Sequence, residues 1–473
     1  MNRPSVFVLA ACGVLASFSA SAADADLQAL REEIAQMKKA YEQRIDALEQ
    51  RLVQAENTSA RVEAKATRVA TAVGRPAEAK ASAFNPEVSL ILQGALTKMQ
   101  REPANWTLQG FVPGGEPDEV GPPRRKGLSL RESELVLSAN VDPNFRGYLN
   151  LALSAENTIA VEEAYFNTLG LGSGLTLKGG RFLSGIGYQN EQHPHSWDFA
   201  DAPLAYSAFF GNKLTAEGLQ LKWLAPTETW LELGLEAGRD SAFPGSDRNK
   251  NGSALGAVFA RTGADLGISS SWRAGLSAVG TRPSNRGFAQ TDTTGNANTV
   301  AFSGNSRTVG ADFVWKWAPN GNPGERNFKF QAEAFRRVEQ GDLSCADAAD
   351  PAAGGRCFPR LSGTYSATQN GLYAQAVYQF MPRWRVGYRY DRLDSGNTAI
   401  GLIASGALTA ADLPQFAAWK PRRDTVMIDY ASSEFARLRF QFARDASRGP
   451  GLADNQFWLQ YVMSIGAHGA HKF

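Results

Sequence analysis

Apolar and polar residues alternate along most of the chain after residue 85. The stretch "WRVGYRY", for example, puts its Trp, Val and Tyr side chains on one face and Arg385, Gly387 and Arg389 on the other. A period of two is typical of a β-strand whose two faces meet different surroundings. The pattern predicts sixteen strands, at residues 87–97, 127–141, 145–155, 159–169, 174–186, 213–224, 228–239, 252–262, 267–280, 307–317, 326–338, 362–381, 384–394, 423–432, 436–446 and 455–473.

The connections between these strands are alternately short and long. Short ones include "DPNF", "GLGSG", "MPR" and "SSEF", and long ones are expected at residues 98–126, 187–212, 281–306, 339–361 and 395–422. Tight turns at one end and long loops at the other are typical of outer-membrane barrels. Sixteen strands enclose a lumen too wide for side chains to fill, so the charged faces are expected inside and the apolar faces toward lipid. The sequence therefore predicts an all-β protein, a 16-stranded antiparallel transmembrane β-barrel over residues 85–473.

The first 84 residues show different patterns. Residues 1–22 combine Arg3, an apolar run and small residues near Ala22, which is typical of a secretory signal peptide. In residues 24–56 the apolar side chains recur three and four positions apart, which predicts a periplasmic coiled-coil helix. A single helix cannot bury such an apolar stripe alone, so the stripe needs a partner. Self-association into a homo-oligomer, for instance a trimer, is the simplest arrangement, and a lone periplasmic helix that rests on another surface is the alternative. Residues 57–84, rich in Ala and charge, are expected to be a linker.

Composition restricts the classes further. The net charge of +2 among 473 residues argues against a nucleic-acid partner. No stretch after the N-terminus offers ~18 uninterrupted apolar residues, which excludes a helical membrane span. Once the signal is removed, two cysteines remain, Cys345 and Cys357, in the loop sequence "LSCADAADPAAGGRCFPR". Because exported proteins meet an oxidising compartment, a disulfide between them is expected.

The chain resembles Gram-negative porin-like outer-membrane proteins, the group that includes phosphate-selective porins. The resemblance lies in the coiled-coil start, the first strand "FNPEVSLILQG" and the last strand, whose terminal Phe473 is similar to the signal read by the barrel-insertion machinery. Segments such as "VEEAYFNT" and "LTLKGGRFLSGIGYQNEQHPHSWDF" resemble a proteobacterial subgroup described as TonB-dependent or zinc-regulated receptors. The chain is too short for the plug and 22 strands of a TonB-dependent transporter.

The resemblance and the strand pattern imply a channel in the outer membrane through which small hydrophilic solutes or ions diffuse passively. A receptor or transporter for zinc or another specific ligand, and a structural barrel tethered to the envelope, are the alternatives. No G-x-S-x-G, P-loop or paired-cysteine metal motif is present, so no enzyme activity is expected.

The selectivity of a pore depends on the residues at its narrowest point. The aromatic loop 187–212 is expected to fold inward as a constriction, and it would supply the acidic side chains. These acidic side chains would face arginines of the strands 384–394 and 436–446. Alternatively, the loop packs over the mouth of the barrel, and the arginines only keep the lumen hydrated. The predicted pore-lining residues are Glu191, Asp198, Asp201, Arg385, Arg389, Arg437 and Arg439.

Two of the four histidines, His193 and His195, lie in the same loop. With Glu191 and Asp198 they could bind zinc, since imidazole and carboxylate are suitable ligands. More commonly, such a histidine is hydrogen-bonded to protein groups and binds no metal. No other cofactor is expected.

Overall fold

A computed structural model describes residues 86–111, 125–239, 242–246, 251–347 and 355–466, together with Lys39. The chain divides into two compact units, residues 1–82 and 83–473, and the second is described below. The predicted signal peptide, coiled coil and linker, and the terminal Phe473, lie outside the described residues. Within the described residues, no helix combines the length and the apolar composition that crossing a membrane requires.

The second unit is a single antiparallel sheet of eighteen strand segments. They are β1 Glu87–Met99, β2 Gly127–Leu130, β3 Ser133–Asn140, β4 Phe145–Leu153, β5 Ile159–Thr168, β6 Leu175–Leu183, β7 Thr215–Leu224, β8 Trp230–Arg239, β9 Leu255–Leu266, β10 Ser270–Thr281, β11 Arg286–Thr291, β12 Ala297–Trp317, β13 Asn327–Asp347, β14 Leu361–Met381, β15 Trp384–Ile400, β16 Arg422–Ser433, β17 Ala436–Asp445 and β18 Asp454–Gly466.

The sheet closes on itself. β1 pairs with β18 on one side and with both β2 and β3 on the other, so β2 and β3 are two parts of one interrupted strand. In the same way β10 and β11 both pair with β12 and form one strand with a break. The barrel therefore has sixteen strands, and the predicted closed antiparallel 16-stranded barrel is confirmed. Closure leaves no unpaired sheet edge, which is what hydrocarbon requires of a spanning sheet.

The predicted alternation of faces is present in the strands. In β17, Leu438 is 47% exposed, whereas its neighbour Arg439 is 1% exposed. Along β18, Phe457, Leu459 and Tyr461 lie outside and their neighbours are buried. Trp223 and Trp230 are exposed on either side of a short turn. In these strands the outward face is thus apolar and the inward face is mostly polar, and the two tryptophans lie beside a short turn.

Four strand segments extend well beyond the length that a membrane needs. A spanning strand takes about 9–11 residues, but β12, β13 and β14 have 21 residues each and β15 has 17. The expected long loops at 281–306, 339–361 and 395–422 are therefore shorter than predicted, because strand pairing continues into them. The extension encloses an apolar cluster that contains Val300, Phe302, Leu343, Tyr365 and Leu402. Burial of that cluster explains why these residues continue to pair as strands beyond the membrane-spanning part of the barrel.

Candidate functional site: a loop inside the barrel

The connection between β6 and β7, residues 184–214 and here named the inner loop, lies within the barrel. It includes helix α1, Leu204–Phe210, whose residues are all buried. Pro203 precedes the helix and Gly211, with a φ of 60°, ends it in the left-handed conformation that glycine adopts without strain. The backbone N–H of Leu204 donates to Asp391 of β15 at 2.8 Å, so a side chain of the wall caps the helix.

Two aspartates of the inner loop form ion pairs with the barrel wall. Asp198 lies 3.1 Å from Arg385 and 2.9 Å from Lys329. Asp201 lies 2.9 Å from Arg389 and 2.7 Å from Arg423. The four cationic partners of these two aspartates, together with Arg437 and Arg439, are here named the basic wall: Lys329, Arg385, Arg389, Arg423, Arg437 and Arg439.

These contacts keep both aspartates ionised. Burial disfavours the charged form of Asp198, but Lys329 and Arg385 outweigh it and hold the pKa of Asp198 below its ordinary value. Burial acts in the same direction on Asp201, and Arg389 and Arg423 outweigh it, so the pKa of Asp201 is also lowered.

Arg437 and Arg439 hold the loop backbone instead of its carboxylates. Arg437 donates to the carbonyl oxygen of His195 at 2.6 Å, and Arg439 donates to that of Trp197 at 3.0 Å. Glu191 lies elsewhere and pairs with Arg261 of β9 at 2.7 Å. Of the seven predicted pore residues, six thus meet along one side of the inner loop, and Glu191 binds a different part of the wall.

The histidines of the inner loop meet an acidic wall, which is named here and consists of Glu132, Glu134, Glu162 and Glu163. His195 Nδ1 lies 2.7 Å from Glu134, and His193 lies 3.0 Å from both Glu162 and Glu163. Burial opposes protonation of His193, but Glu162 and Glu134 outweigh it and raise the pKa of His193 well above its ordinary value. Glu191 and Asp198, the other predicted zinc ligands, pair with wall cations as described above.

Glu333 of β13 binds the beginning of the inner loop. Its carboxylate accepts hydrogen bonds from the backbone N–H groups of Tyr188 and Gln189, at 3.0 and 2.9 Å, and from the hydroxyl of Tyr206 at 2.8 Å. Sequence reasoning missed this residue. Its place on the polar face of "FQAEAF" was the available signal, because a charged side chain on that face points into the lumen.

The inner loop leaves part of the lumen open. A cavity of about 400 Å³ lies between the loop and the wall of β1–β5, with charged residues of both signs around it: Arg131, Glu132, Glu156, Asp201 and Lys213. On the other side, apolar residues of the loop pack with Leu108 and Phe111, which fill the space next to α1. This cavity therefore lies on the side of the inner loop that faces Glu132 of the acidic wall.

The two cysteines are far from the inner loop in the fold. In the structure, Cys345, near the end of β13, forms a disulfide with Cys357, and their Cα atoms are 5.4 Å apart. Both belong to the apolar cluster enclosed by the extended ends of β12, β13, β14 and β15, here named the external extension. The disulfide thus belongs to the external extension and not to the lumen.

The chain is similar to an uncharacterized protein of Aquifex aeolicus, with 29% identity over 420 residues that make up 83% of this chain and 80% of that protein. No protein-family model matches the sequence. A loop-deletion mutant of OmpT, an outer membrane protein of Vibrio cholerae, matches 80% of this chain and 99% of its own at 10% identity and a TM-score of 0.47. The outer membrane channel DcaP of Acinetobacter baumannii matches 80% and 97% at 12% identity and a TM-score of 0.45.

Proposed function

We propose that this protein is an outer-membrane porin through which small hydrophilic solutes or ions diffuse passively, and that the inner loop forms its constriction. The main observation in support of this proposal is that the inner loop is attached to two walls of opposite charge within a closed barrel. An apolar exterior suits lipid, and a charged interior suits water. Without such a loop, sixteen strands would leave a wide aqueous channel.

The ion pairs support a fixed constriction and not a mobile flap. Asp198 and Asp201 are bound to the basic wall, while His193, His195 and Lys213 are bound to the acidic wall. Movement of the loop away from either wall would separate buried ion pairs, and this costs several kcal/mol per unpaired ion. The cavity beside β1–β5 is then the route for solutes.

Planar-bilayer recording of the refolded, purified chain tests this proposal. We expect discrete conductance steps. Replacing residues 193–201 with a short Gly/Ser linker should give larger steps, because the loop would no longer fill the centre. The same replacement in the external turn 293–296 is the control and should leave the step size close to that of the parent. A folded barrel that never conducts would overturn the proposal.

A weak preference for anions is the expected selectivity. Lys316, Lys329 and Arg385 line a second cavity, of about 610 Å³, near the short-turn end of the barrel. Asp198 offsets part of this charge through its ion pairs with Lys329 and Arg385. Reversal potentials in a salt gradient measure the preference, and a clear preference for cations would contradict it.

The oligomeric state is a separate proposal. We propose a homo-oligomer, for instance a trimer, assembled through the predicted coiled coil at residues 24–56. Deleting these residues should remove cross-linked oligomers and leave the single-channel step unchanged. Loss of envelope attachment, with oligomers intact, would instead favour the tether function.

A further inference from the structure

The acidic wall contains a buried group of side chains that the proposed channel does not use. Glu134 of β3, Asn150 of β4, Glu162 of β5 and His193 of the inner loop converge on one point. One ligand atom from each of Glu134, Glu162 and His193 lies within 4.8 Å of the others, and both glutamates are buried. From this arrangement we infer a binding site for a divalent first-row transition ion such as Zn²⁺, independent of whether the barrel conducts.

The distances fit a metal. Nδ1 of His193 lies 3.0 Å from Oε2 of Glu162 and 3.3 Å from Oε2 of Glu134. The amide nitrogen of Asn150 lies 2.9 Å from each of these oxygens and 3.2 Å from Nδ1. Tetrahedral Zn²⁺ with bonds of about 2.0–2.2 Å places its ligand atoms about 3.3–3.6 Å apart. These five distances are at or somewhat below that range, and the two glutamate oxygens lie within 4.8 Å of each other, so the ligands would have to spread slightly around the ion.

The surroundings of Asn150 also support a bound cation. It is 0% exposed, and its Oδ1 has no hydrogen-bond partner among the described residues. Its two amide hydrogens face three polar atoms. The amide oxygen and nitrogen can exchange places by a flip about the terminal bond. The flip directs Oδ1 at the two carboxylates and Nδ1, which is repulsive unless a cation lies between them. A cation there gives Oδ1 a partner and completes four ligands.

The backbone also departs from regularity at this point. Asn150 pairs with Glu163 and Leu151 pairs with Val161, so Glu162 is an extra residue, a β-bulge in β5. Regular alternation would direct Glu162 and Glu163 to opposite faces, but the bulge lets both face the lumen. This places Glu162 among the ligands and Glu163 behind the histidine.

Three of the four ligands, His193, Glu134 and Glu162, are also held in place by a second partner. Nε2 of His193 lies 3.0 Å from Glu163, which leaves Nδ1 as the ligand atom. The second oxygen of Glu134 contacts His195 at 2.7 Å, and that of Glu162 pairs with Lys213. An imidazole nitrogen among the ligands favours a transition ion over Mg²⁺ or Ca²⁺. The bound ion would join the inner loop to three strands of the wall.

The test is Zn²⁺ binding by the refolded, untagged full chain in detergent, measured by equilibrium dialysis, with Co²⁺ absorption as a second readout. We expect one ion per chain. Asn150→Leu and Glu162→Gln should lose this binding, Glu163→Gln should weaken it about 10- to 100-fold, and Asn150→Asp should keep it because a carboxylate oxygen replaces Oδ1.

Two controls separate this site from other causes. Glu236 is a buried glutamate that binds the same loop through Ser184 and Gly185, and Glu236→Gln should bind Zn²⁺ like the parent. The paired change His468→Ala and His471→Ala removes the remaining histidines and should also leave the affinity unchanged. Heat-dependent migration in gels shows that each variant is folded. A folded parent without a bound ion, or Asn150→Leu and Glu162→Gln binding like the parent, would overturn the inference.

Discussion

The attachment of the inner loop to the basic wall can be tested at one residue, Asp201. Its carboxylate, 4% exposed, lies between Arg389 and Arg423 and also accepts a hydrogen bond from Gln441 at 3.0 Å. The change Asp201→Asn keeps the size of the side chain and removes the charge. Two buried guanidinium groups then share a single remaining carboxylate, that of Asp391.

Removing one partner of a buried ion pair costs about 3–5 kcal/mol. Because Asp391 remains beside both arginines, we expect the lower value, about 3 kcal/mol, which raises the population of the detached loop about 100-fold. Detachment widens the passage. Asp201→Asn should therefore show larger or strongly fluctuating conductance steps in planar bilayers, while the barrel stays folded.

Glu339→Gln provides the matched control. Glu339 is a buried carboxylate that pairs with Arg286 at 2.9 Å, but this ion pair joins two strands of the wall instead of the wall and the loop. The control should lose stability without changing the conductance. If Asp201→Asn gives a folded barrel with the step size and noise of the parent, the loop is not held by this ion pair and the reasoning is wrong.

Three further outcomes are expected. Gly187→Ala should disturb the inner loop, because φ is +64° there and the added Cβ would collide with Glu333; raised conductance noise measures this. Cys345→Ser should cost the external extension about 2–4 kcal/mol, measured by proteolysis, with unchanged conductance. Because the pKa values of Asp198 and Asp201 are lowered, their ion pairs persist above the unfolded-state value of about 3.9 and are lost only below it. A change in conductance between pH 7 and about 5 that disappears in Asp198→Asn or Asp201→Asn would contradict the last expectation.

The inner loop shows how far sequence reasoning about the site reaches, and its function as a constriction stays a prediction. Its length, its aromatic content and its place after the fifth strand predicted an inward loop, and the parity of β15 and β17 identified the arginines that it meets. Parity could be read because each of these strands has one lipid-facing and one water-facing side. The same reasoning could not show that Asp198 and Asp201 pair directly with those arginines, because the path of a loop has no period.

The acidic wall shows where parity fails. The adjacent Glu162 and Glu163 read as residues on opposite faces, and only the bulge in β5 turns both toward His193. Register between strands decides which side chains meet, and register is a property of the paired sheet. The external extension was likewise missed, because its apolar residues are buried by neighbouring strands and not by lipid.

The sequence by itself determined the class of structure: many short alternating segments with long loops at one end permit a closed membrane barrel and little else. The tertiary structure decided which charges meet. Alternation is a local property that every strand carries in its own residues, whereas an ion pair between β15 and the inner loop joins positions nearly two hundred residues apart. Such contacts depend on closure of the sheet and on the path of the loop through its interior.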